Sequence, residues 1–350
     1  MAISDRRVIL VTGVGDYWGA RIAARLAADP DTLVIGLDDV APLEEIENLD
    51  FIQADIQNPL LPELLSSEGV DIVCHLKFVE SSDCSEANFN LNVSGAMKVL
   101  GACADAGVRK VVLRSSTAVY GAHAGNSAFI AEETPLRGSS KYGYTRDLVE
   151  LEAFCNGFAV QFPEISLTIL RFANIVGLTA TSPMTRFLKH KTPRILLGFD
   201  PMMQIIHEDD VVEALVHAAQ NDVRGVFNIA AEYAMPLSRI LRLARRFPVH
   251  IFHPVAYKGF NLLRGSRFGP AEFAPIEWDY LRYPWVADLR LMVEDLGFSP
   301  LYRAEETLRE FAADGQYNME KDGDERIAYE EGRLRDILEI RRRARERADQ

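Results

Sequence analysis

Cysteine is scarce in this chain. Its 350 residues include four cysteines, and their spacing suits neither a close metal-ligand pair nor a dense disulfide scaffold. We therefore predict reduced thiols that lie in the core or near the surface. The four positions are Cys74, Cys84, Cys103 and Cys155.

Long apolar runs and surplus positive charge are also missing. No segment reaches the roughly 18 consecutive apolar residues of a membrane span, and the opening MAISDRRVILVTGVG lacks the apolar stretch of a signal peptide. Lysine and arginine total 38 against 51 acidic residues, a formal charge of −13. This balance argues against nucleic acid and against a membrane surface as partners. We expect a cytoplasmic protein that acts on a small-molecule substrate.

The chain does contain a regular alternation of strand-like and helix-like segments. Hydrophobic residues make up 48% of it, which is enough for a substantial core. Continuous β-branched runs separated by helices indicate an α/β protein with a doubly wound parallel sheet, the Rossmann fold. The strands are predicted at residues 8–11, 33–37, 51–52, 72–76 and 110–113, and the helices at 20–26, 87–106 and 140–157.

Three parts of the chain differ in pattern. Residues 1–177 carry the strand and helix alternation of the Rossmann domain, with a later return segment at about 204–230. Residues 178–320 are irregular, with scattered prolines, as expected of a smaller C-terminal substrate-binding domain. Residues 321–350 hold nine basic and nine acidic residues, which predicts a long solvated helix or a partly disordered extension.

Polar residues and glycines follow the predicted strands, where ligands of such sheets bind. A turn from Thr12 to Gly19 lets backbone approach a pyrophosphate closely at a helix N-terminus, although a plain strand-to-helix turn without a ligand is the alternative. Asp38, nineteen residues after Gly19, can accept hydrogen bonds from ribose hydroxyls and would repel a 2′-phosphate. These features favour NAD over NADP.

The order of these segments resembles that found in the extended short-chain dehydrogenase/reductase superfamily. Within this superfamily the chain resembles the NAD-dependent epimerase/dehydratase branch, and its sequence blocks are similar to those of UDP-glucose 4-epimerases. The resemblance covers roughly residues 6–312 and implies the Rossmann fold, NAD as cofactor and a homodimer. The blocks that carry it are Gly13 to Gly19, Asn92-Val93, Ser116 with Tyr120-Gly121, Tyr142-Gly143 with Glu150, Arg171 to Gly177, Ile206 to Val211 and Phe227 to Ile229.

The resemblance also implies roles for individual residues. Tyr142 stands where the family has a tyrosine that exchanges a proton with substrate, and Ser116 where a serine holds the reacting oxygen. Arg146 stands where the family has a lysine that lowers the pKa of that tyrosine. An ordinary core or interface tyrosine is the alternative for Tyr142. The implied cofactor-binding residues are Gly13, Gly15, Asp16, Tyr17, Trp18, Gly19, Asp38, Asp55, Ile56, Leu76, Lys77, Asn92, Ser115, Tyr142 and Arg146.

Several of these positions depart from the family pattern or have a second interpretation. Asp16 replaces the middle glycine and brings a carboxylate toward the expected pyrophosphate. Arg146 keeps a positive charge, but its planar guanidinium cannot copy a slender ammonium. Lys77 replaces a small residue and either touches phosphate or, as we favour, points to solvent. Asp55 either contacts adenine or caps a helix.

No metal site is predicted. The carboxylates after His207 lack the spacing of a metal-binding loop, and Asp209 or Asp210 more simply caps a helix over residues 211–219.

The helices at 87–106 and 140–157 carry apolar residues beyond those that the core needs, which predicts a contact between two copies of the chain.

Three functions remain open. The first is an NAD-dependent epimerase or related oxidoreductase that acts on a nucleotide-sugar-like substrate by transient hydride transfer. The second is a catalytically weakened NAD-binding or structural protein, and the third is a carbonyl reductase. Dehydration is disfavoured, because Thr117 and Ala118 stand where the family's dehydratases have acidic residues.

Overall fold

A computed structural model of the chain describes residues 6–257, 276–314 and 323–348. Its centre is a seven-stranded sheet with the strand order β11-β6-β5-β4-β1-β2-β3, and every neighbouring pair is parallel. The sheet strands are β1 (Arg7–Thr12), β2 (Thr32–Asp38), β3 (Leu49–Gln53), β4 (Ile72–His75), β5 (Lys110–Ser116), β6 (Ser166–Phe172) and β11 (Gly225–Ile229).

Helices cover both faces of this sheet, which confirms the predicted doubly wound α/β fold. Apolar side chains on the two faces form separate core clusters. The described helices are α1 (Tyr17–Ala27), α2 (Leu61–Ser67), α3 (Glu86–Phe89), α4 (Ala96–Ala106), α5 (Gly143–Gln161), α6 (Pro183–Lys189), α7 (Glu208–Gln220), α8 (Leu237–Leu243), α9 (Arg290–Glu294), α10 (Ala304–Asp314) and α11 (Gly323–Ala348).

Short strand pairs from the later part of the chain stand apart from the main sheet. They pack with α6, α8 and α10 around a third apolar cluster. The short strands are β7 (Asn174–Val176), β8 (Arg194–Leu196), β9 (Met202–Met203), β10 (Ile205–His207), β12 (Met235–Pro236) and β13 (Val249–Ile251).

The helix predicted at 87–106 is present, with one local change. A π-helical segment, Asn90–Gly95, joins α3 to α4, and Gly107 ends the helix as a C-cap in the left-handed conformation that favours glycine. The prediction for α7 was wrong at its start. The helix begins at Glu208, and His207 rather than Asp209 or Asp210 is its N-cap, because the His207 Nδ1 accepts the Asp209 backbone N–H at 3.1 Å.

The four cysteines are free thiols, and all but the half-buried Cys84 are buried, as predicted. The described part of the charged tail is the long helix α11, which is one of the two predicted forms. Arg309 of α10 binds Asp336 of α11 at 2.6 Å, and Arg303 binds Glu339 at 2.9 Å. Among the described helices, none combines the length and the apolar character that crossing a membrane demands.

Candidate functional site

The strand order reverses between β1 and β4, and the glycine turn lies at this crevice. Gly13 has a φ of 78°, and a Cβ there would lie 2.7 Å from the Lys77 backbone nitrogen. A Cβ on Gly19 would lie 2.0 Å from the Gly13 carbonyl oxygen. Only glycine fits both positions, so the turn packs α1 tightly against the end of β1.

A cluster of charges fills the space beside this turn. The Lys77 Nζ lies 2.7 Å from the Asp38 carboxylate, 3.1 Å from Asp39 and 3.4 Å from Asp16. Its side chain is only 11% exposed, so the prediction that Lys77 points to solvent was wrong. The reason is electrostatic, since three carboxylates surround the one ammonium and outweigh its cost of burial.

Hydrogen bonds and burial set the protonation of this cluster. Burial lowers the pKa of Lys77, but the Asp38 and Asp39 carboxylates outweigh that effect and raise it above its usual range. Burial raises the pKa of Asp38, while the Asp38 and Lys77 side chains lower the pKa of Asp39 to about 2. The Asp38 Oδ2 also accepts the Gly15 N–H at 2.9 Å. Asp38 therefore ties the glycine turn to the end of β2.

The two aromatic residues of the turn have partners on other elements. Tyr17 donates a hydrogen bond to Glu208 of α7 and receives one from Arg21 at 2.6 Å. Burial, reinforced by Glu208, raises the pKa of Tyr17 to about 12. Trp18 is buried beneath the Arg114 guanidinium, whose carbon lies 5.4 Å from the ring centroid. These contacts hold the start of α1 against its neighbours.

Four other predicted cofactor residues lie at or just after strand ends, and three of them hydrogen-bond groups of the chain itself. The Leu76 N–H donates to Thr12 Oγ1 at 3.1 Å, and the Ser115 Oγ donates to Glu152 at 2.5 Å. Ile56 is buried, whereas Asp55 is exposed and accepts the Gln57 N–H at 2.8 Å. That last bond is the local turn contact of the helix-cap interpretation of Asp55.

Asn92 anchors the segment after β4. Its side chain accepts the Val79 N–H at 2.7 Å and donates to the Val79 carbonyl at 3.0 Å. It also donates to Asp147 of α5 at 2.9 Å. Asn92 is fully buried and thereby links the loop that follows β4 to the helix that follows Tyr142.

Ser116 and Tyr142 lie in one apolar cavity at the carboxyl end of β5. The Ser116 Oγ donates to the Phe172 carbonyl at 3.2 Å and also hydrogen-bonds the Tyr144 side chain. Tyr142 is buried and is the N-cap of α5 rather than a residue within it. The lining residues are Glu80, Ser116, Ala118, Tyr142, Tyr144, Thr145, Phe172, Ala173, Asn174, Ile175, Ser182, Pro183, Met184, Ile276, Glu277, Tyr280 and Trp285.

Arg146 has its guanidinium engaged with other groups. Its Nε and Nη2 lie 2.8 and 2.7 Å from one Asp147 carboxylate oxygen, and Nη2 reaches the Ser85 carbonyl at 3.3 Å. The guanidinium carbon lies 5.0 Å from the Phe89 ring centroid. Burial raises the pKa of Tyr142, and Arg186 of α6 supplies the largest charge that opposes this rise.

Sequence reasoning missed two acidic residues of this cavity. Glu80 lies 2.8 Å from Arg114, so its charge is balanced locally. Glu277 comes from the later half of the chain, and burial raises its pKa to about 7. Neither belongs to a recognised motif. Only the aromatic stretch from Trp278 to Trp285 marked that region as unusual in the sequence.

Several blocks of the family resemblance meet in a buried hydrogen-bond network. Arg171 lies 2.5 Å from Glu152 and donates to the Tyr120 hydroxyl at 2.7 Å. Tyr120 in turn donates to Asn228 at 2.7 Å. The network ties β6 to α5 and to β11, so these blocks stabilise the fold that presents Ser116.

The acidic residues after His207 also stabilise the fold. Asp210 accepts the backbone N–H groups of Leu301 and Tyr302 at 2.6 and 3.0 Å, and burial raises its pKa to about 6. The His207 ring stacks on Tyr302 with a centroid separation of 3.8 Å. Within the described residues no cluster has the makeup of a metal site.

The fold and site together define a Rossmann-type protein with a dinucleotide turn and a tyrosine-lined cavity. Residues 9–230 match the model of the NAD dependent epimerase/dehydratase family, and the chain belongs to that family. This confirms the resemblance seen in the sequence and NAD as the cofactor, because the family is NAD-dependent.

Similarity to individual proteins agrees with this assignment. The chain is 32% identical over 314 residues to the uncharacterized protein Rv0501 of Mycobacterium tuberculosis, a match that covers 87% of this chain and 83% of that one. It is 30% identical over 189 residues to a UDP-glucose 4-epimerase of Dictyostelium discoideum, covering 50% and 53% of the two chains. The solved structure of MoeE5 in complex with UDP-glucuronic acid and NAD superposes with a TM-score of 0.68 at 21% identity, covering 89% and 99%.

The residues present fit NAD. The glycine turn leaves room for backbone to approach a pyrophosphate at the start of α1, and Asp38 stands at the end of β2 where a ribose would lie. Both carboxylate oxygens of Asp38 are already engaged, one by Gly15 and the other by Lys77. A ribose hydroxyl must therefore share Asp38 with Lys77 or displace its ammonium.

Proposed function

We propose that the protein is an NAD-dependent epimerase or related oxidoreductase that acts on a nucleotide-sugar-like substrate. The observation that carries this proposal is the cavity that both Ser116 and Tyr142 line, at the carboxyl end of β5. The Dictyostelium relative, a UDP-glucose 4-epimerase by name, supports the substrate class. NAD would supply a reversible hydride acceptor when bound.

In this proposal the chain's own residues bind the cofactor and move a proton. Gly13 and Gly19 shape the turn, and Asp38 with Lys77 receives the adenosine ribose. The Ser116 hydroxyl orients the reacting oxygen of the substrate. Tyr142 holds a proton at its hydroxyl oxygen, because burial favours the neutral phenol. As the phenolate it would take the proton of a substrate hydroxyl, and as the phenol it would return that proton to the same oxygen.

Water is largely excluded from this exchange. The cavity walls include Phe172, Met184, Ile276 and Trp285, and all four are buried. A dry site strengthens the electrostatic interactions of the few polar groups that it contains.

Product analysis tests the proposal. The protein is incubated with catalytic NAD and, separately, with UDP-glucose, UDP-glucuronic acid and UDP-N-acetylglucosamine, and the nucleotide sugars are separated by chromatography. We expect conversion of at least one of them into an epimer or an oxidised product. Tyr142→Phe should lower turnover by about 10²- to 10⁴-fold, as loss of a general acid–base does. Tyr233→Phe, at an exposed tyrosine outside the cavity, serves as the matched control.

A catalytically weakened NAD-binding protein is the second candidate, and Arg146 favours it. Its guanidinium is held by Asp147 and Phe89, so the charge that the family uses to activate the tyrosine is directed elsewhere. Bound NAD without conversion of any of the three sugars would support this candidate. Steady consumption of added NADH with simple ketones would instead indicate the carbonyl reductase.

A further inference from the structure

Glu277 forms one wall of the cavity that contains Ser116 and Tyr142. It directly precedes the 3₁₀ turn Trp278–Leu281, in the later half of the chain, whereas Ser116 ends a strand of the main sheet. The cavity therefore combines Ser116 from the sheet and Tyr142 from the start of α5 with a carboxyl group from the later half of the chain. Nothing in the family's blocks assigns a role to this position.

Ser139 hydrogen-bonds the Glu277 carboxyl group, but the contacts of this side chain leave one of its buried oxygens unsatisfied. Although it stands at the N-cap position of the 3₁₀ turn, its side chain makes no capping hydrogen bond. Its Oε2 is buried and has no hydrogen-bond partner among the described residues. A buried carboxyl oxygen without a partner is costly, and such atoms occur where a ligand completes the hydrogen bonding.

The groups around Glu277 place the pKa of its carboxyl group near neutral pH. Burial raises its pKa to about 7, a Ser139 hydrogen bond lowers it, and the Asp279 charge raises it. His123 and Lys141 act in the lowering direction. The Glu277 charge in turn raises the pKa of two phenols that line the same cavity, Tyr142 and Tyr280.

The other carboxyl of the cavity is different. The Glu80 side chain lies 2.8 Å from the Arg114 guanidinium, and both are largely buried. The Glu80 carboxylate is therefore already engaged by a cation of the chain itself. Glu277 is thus the carboxyl of this cavity that is suited to proton exchange at neutral pH.

We propose that Glu277 is a second proton-transfer residue of this site and contacts a hydroxyl of the bound substrate across the cavity from Ser116. The inference rests on the proposed function and deepens it. It supplies an acid–base group in a chain whose Arg146 is turned away to Asp147. Its acceptor is a substrate hydroxyl or carbonyl oxygen, such as those on the sugar of a nucleotide sugar.

The step assigned to Glu277 is a proton transfer alone. When Glu277 is ionised, the O–H bond of a substrate hydroxyl breaks, the proton goes to Oε2, and the electron pair of that bond stays on the substrate oxygen. In the reverse direction the carboxylic acid returns the proton to that oxygen. No oxidant or co-reactant is needed for this step.

Kinetics on the NAD-loaded protein test the assignment, with the three UDP-sugars named above as probes. Glu277→Gln should lower kcat by about 10²-fold or more while KM changes little, and the pH profile should lose its limb near neutrality. Asp279→Asn should shift that limb to lower pH, because the Asp279 charge raises the pKa of Glu277. Glu232→Gln, at an exposed glutamate, is the control. Retention of kcat within about threefold in Glu277→Gln would overturn the assignment.

A direct measurement separates this inference from the proposed function. Glutamate labelled with carbon-13 at the carboxyl is titrated by NMR in the NAD-loaded wild type and in Glu277→Gln. We expect one signal that titrates near pH 7 and that is missing in the variant. If the wild type converts no probe, the proposed function fails, yet that signal would still support Glu277 as a proton-exchanging group. A Glu277 signal that titrates below about pH 5, as ordinary carboxyls do, would overturn it.

Discussion

Lys77 is the residue that changes the expected cofactor site most. An aspartate at the middle position of a glycine turn should repel pyrophosphate. A carboxylate about 6 Å from one phosphate charge costs roughly 3 kcal/mol at an effective dielectric of 20, and screening reduces this to about 1 kcal/mol. The ammonium of Lys77 lies 3.4 Å from Asp16, however, and opposes that repulsion. Lys77 thus supplies a positive charge that offsets the negative charge of Asp16.

The first prediction concerns this pair. Asp16→Gly should tighten NAD binding, but by less than the tenfold that an unbalanced carboxylate would give. In a Lys77→Ala background the same change should give about tenfold, because the compensating charge is gone. Calorimetric titration of the four proteins of this cycle with NAD measures both effects. Equal effects of Asp16→Gly in the two backgrounds would show that Lys77 does not compensate Asp16.

His75 carries a pH prediction. Burial lowers its pKa to about 4, and its Nδ1 lies 2.8 Å from the Thr12 hydroxyl. Since this value lies below the unfolded value of about 6.5, the unfolded chain binds more protons between these pH values, and stability falls as pH drops through that window.

The size of this effect follows from the shift. His75 should account for about 3 kcal/mol of the stability that is lost between pH 7 and pH 4. His75→Asn keeps a polar atom near Thr12 and removes the titration. Urea unfolding of both proteins at the two pH values measures it, and the variant should lose about 3 kcal/mol less. The same pH dependence in both proteins would show that His75 does not titrate as stated.

At the scale of elements, the first turn of α5 decides how the site works. Tyr142 lies at the N-cap and Arg146 on the turn that follows, yet the Arg146 guanidinium bonds Asp147, which Asn92 also holds. The arginine therefore braces α5 against α3, through the Ser85 carbonyl and the Phe89 ring. Its charge stabilises the element rather than the phenolate of Tyr142.

Arg146→Lys tests this division of roles. A lysine lacks the planar fork that binds Asp147 and the Ser85 carbonyl together, so its ammonium is free to approach Tyr142. An opposite charge within about 4–6 Å lowers a pKa by 1–3 units, so turnover of a UDP-sugar should rise about tenfold. Arg146→Gln, which removes the charge, should not raise it. Unchanged, negligible turnover in Arg146→Lys with NAD bound would favour the NAD-binding protein.

The strands and most helices could be predicted because their signals are local. The apolar runs of β1, β2 and β5 and the left-handed cap at Gly107 depend on nearby residues alone. The N-cap of α7 could not, because several polar residues in a row can all serve as caps. His207 is held at the N-cap position with the help of Tyr302, a residue distant in sequence whose ring stacks on the His207 ring.

On the scale of the whole molecule, the site combines both halves of the chain. The positions of Ser116 and the glycine turn at strand ends could be predicted from the order of the strands, whereas Tyr142 was singled out by the family resemblance. Lys77 was placed wrongly, because its contacts depend on three carboxylates from two other segments. Glu277 was missed since it has no motif, and its chemistry arises only from its burial in the folded cavity.

Assembly of two copies remains a prediction at this scale. Leu100, Leu148 and Leu151 are buried within the chain, so less apolar surface is left on α4 and α5 than the sequence pattern indicates. Leu91 and Phe154 are partly buried, and Met97 is 40% exposed. We expect sedimentation at micromolar concentration to show twice the chain mass and Met97→Glu to shift it toward one chain. A wild type that sediments only as a single chain would contradict the homodimer.

The central claim is that this chain holds NAD in its glycine turn and uses it on a nucleotide sugar. Mass spectrometry of the small molecules released when the purified protein is denatured tests this most directly. We predict NAD or NADH at about one per chain, no NADP, and retention of a nucleotide sugar after incubation with the three UDP-sugars and washing. Release of no dinucleotide, or of NADP in preference to NAD, would contradict the account.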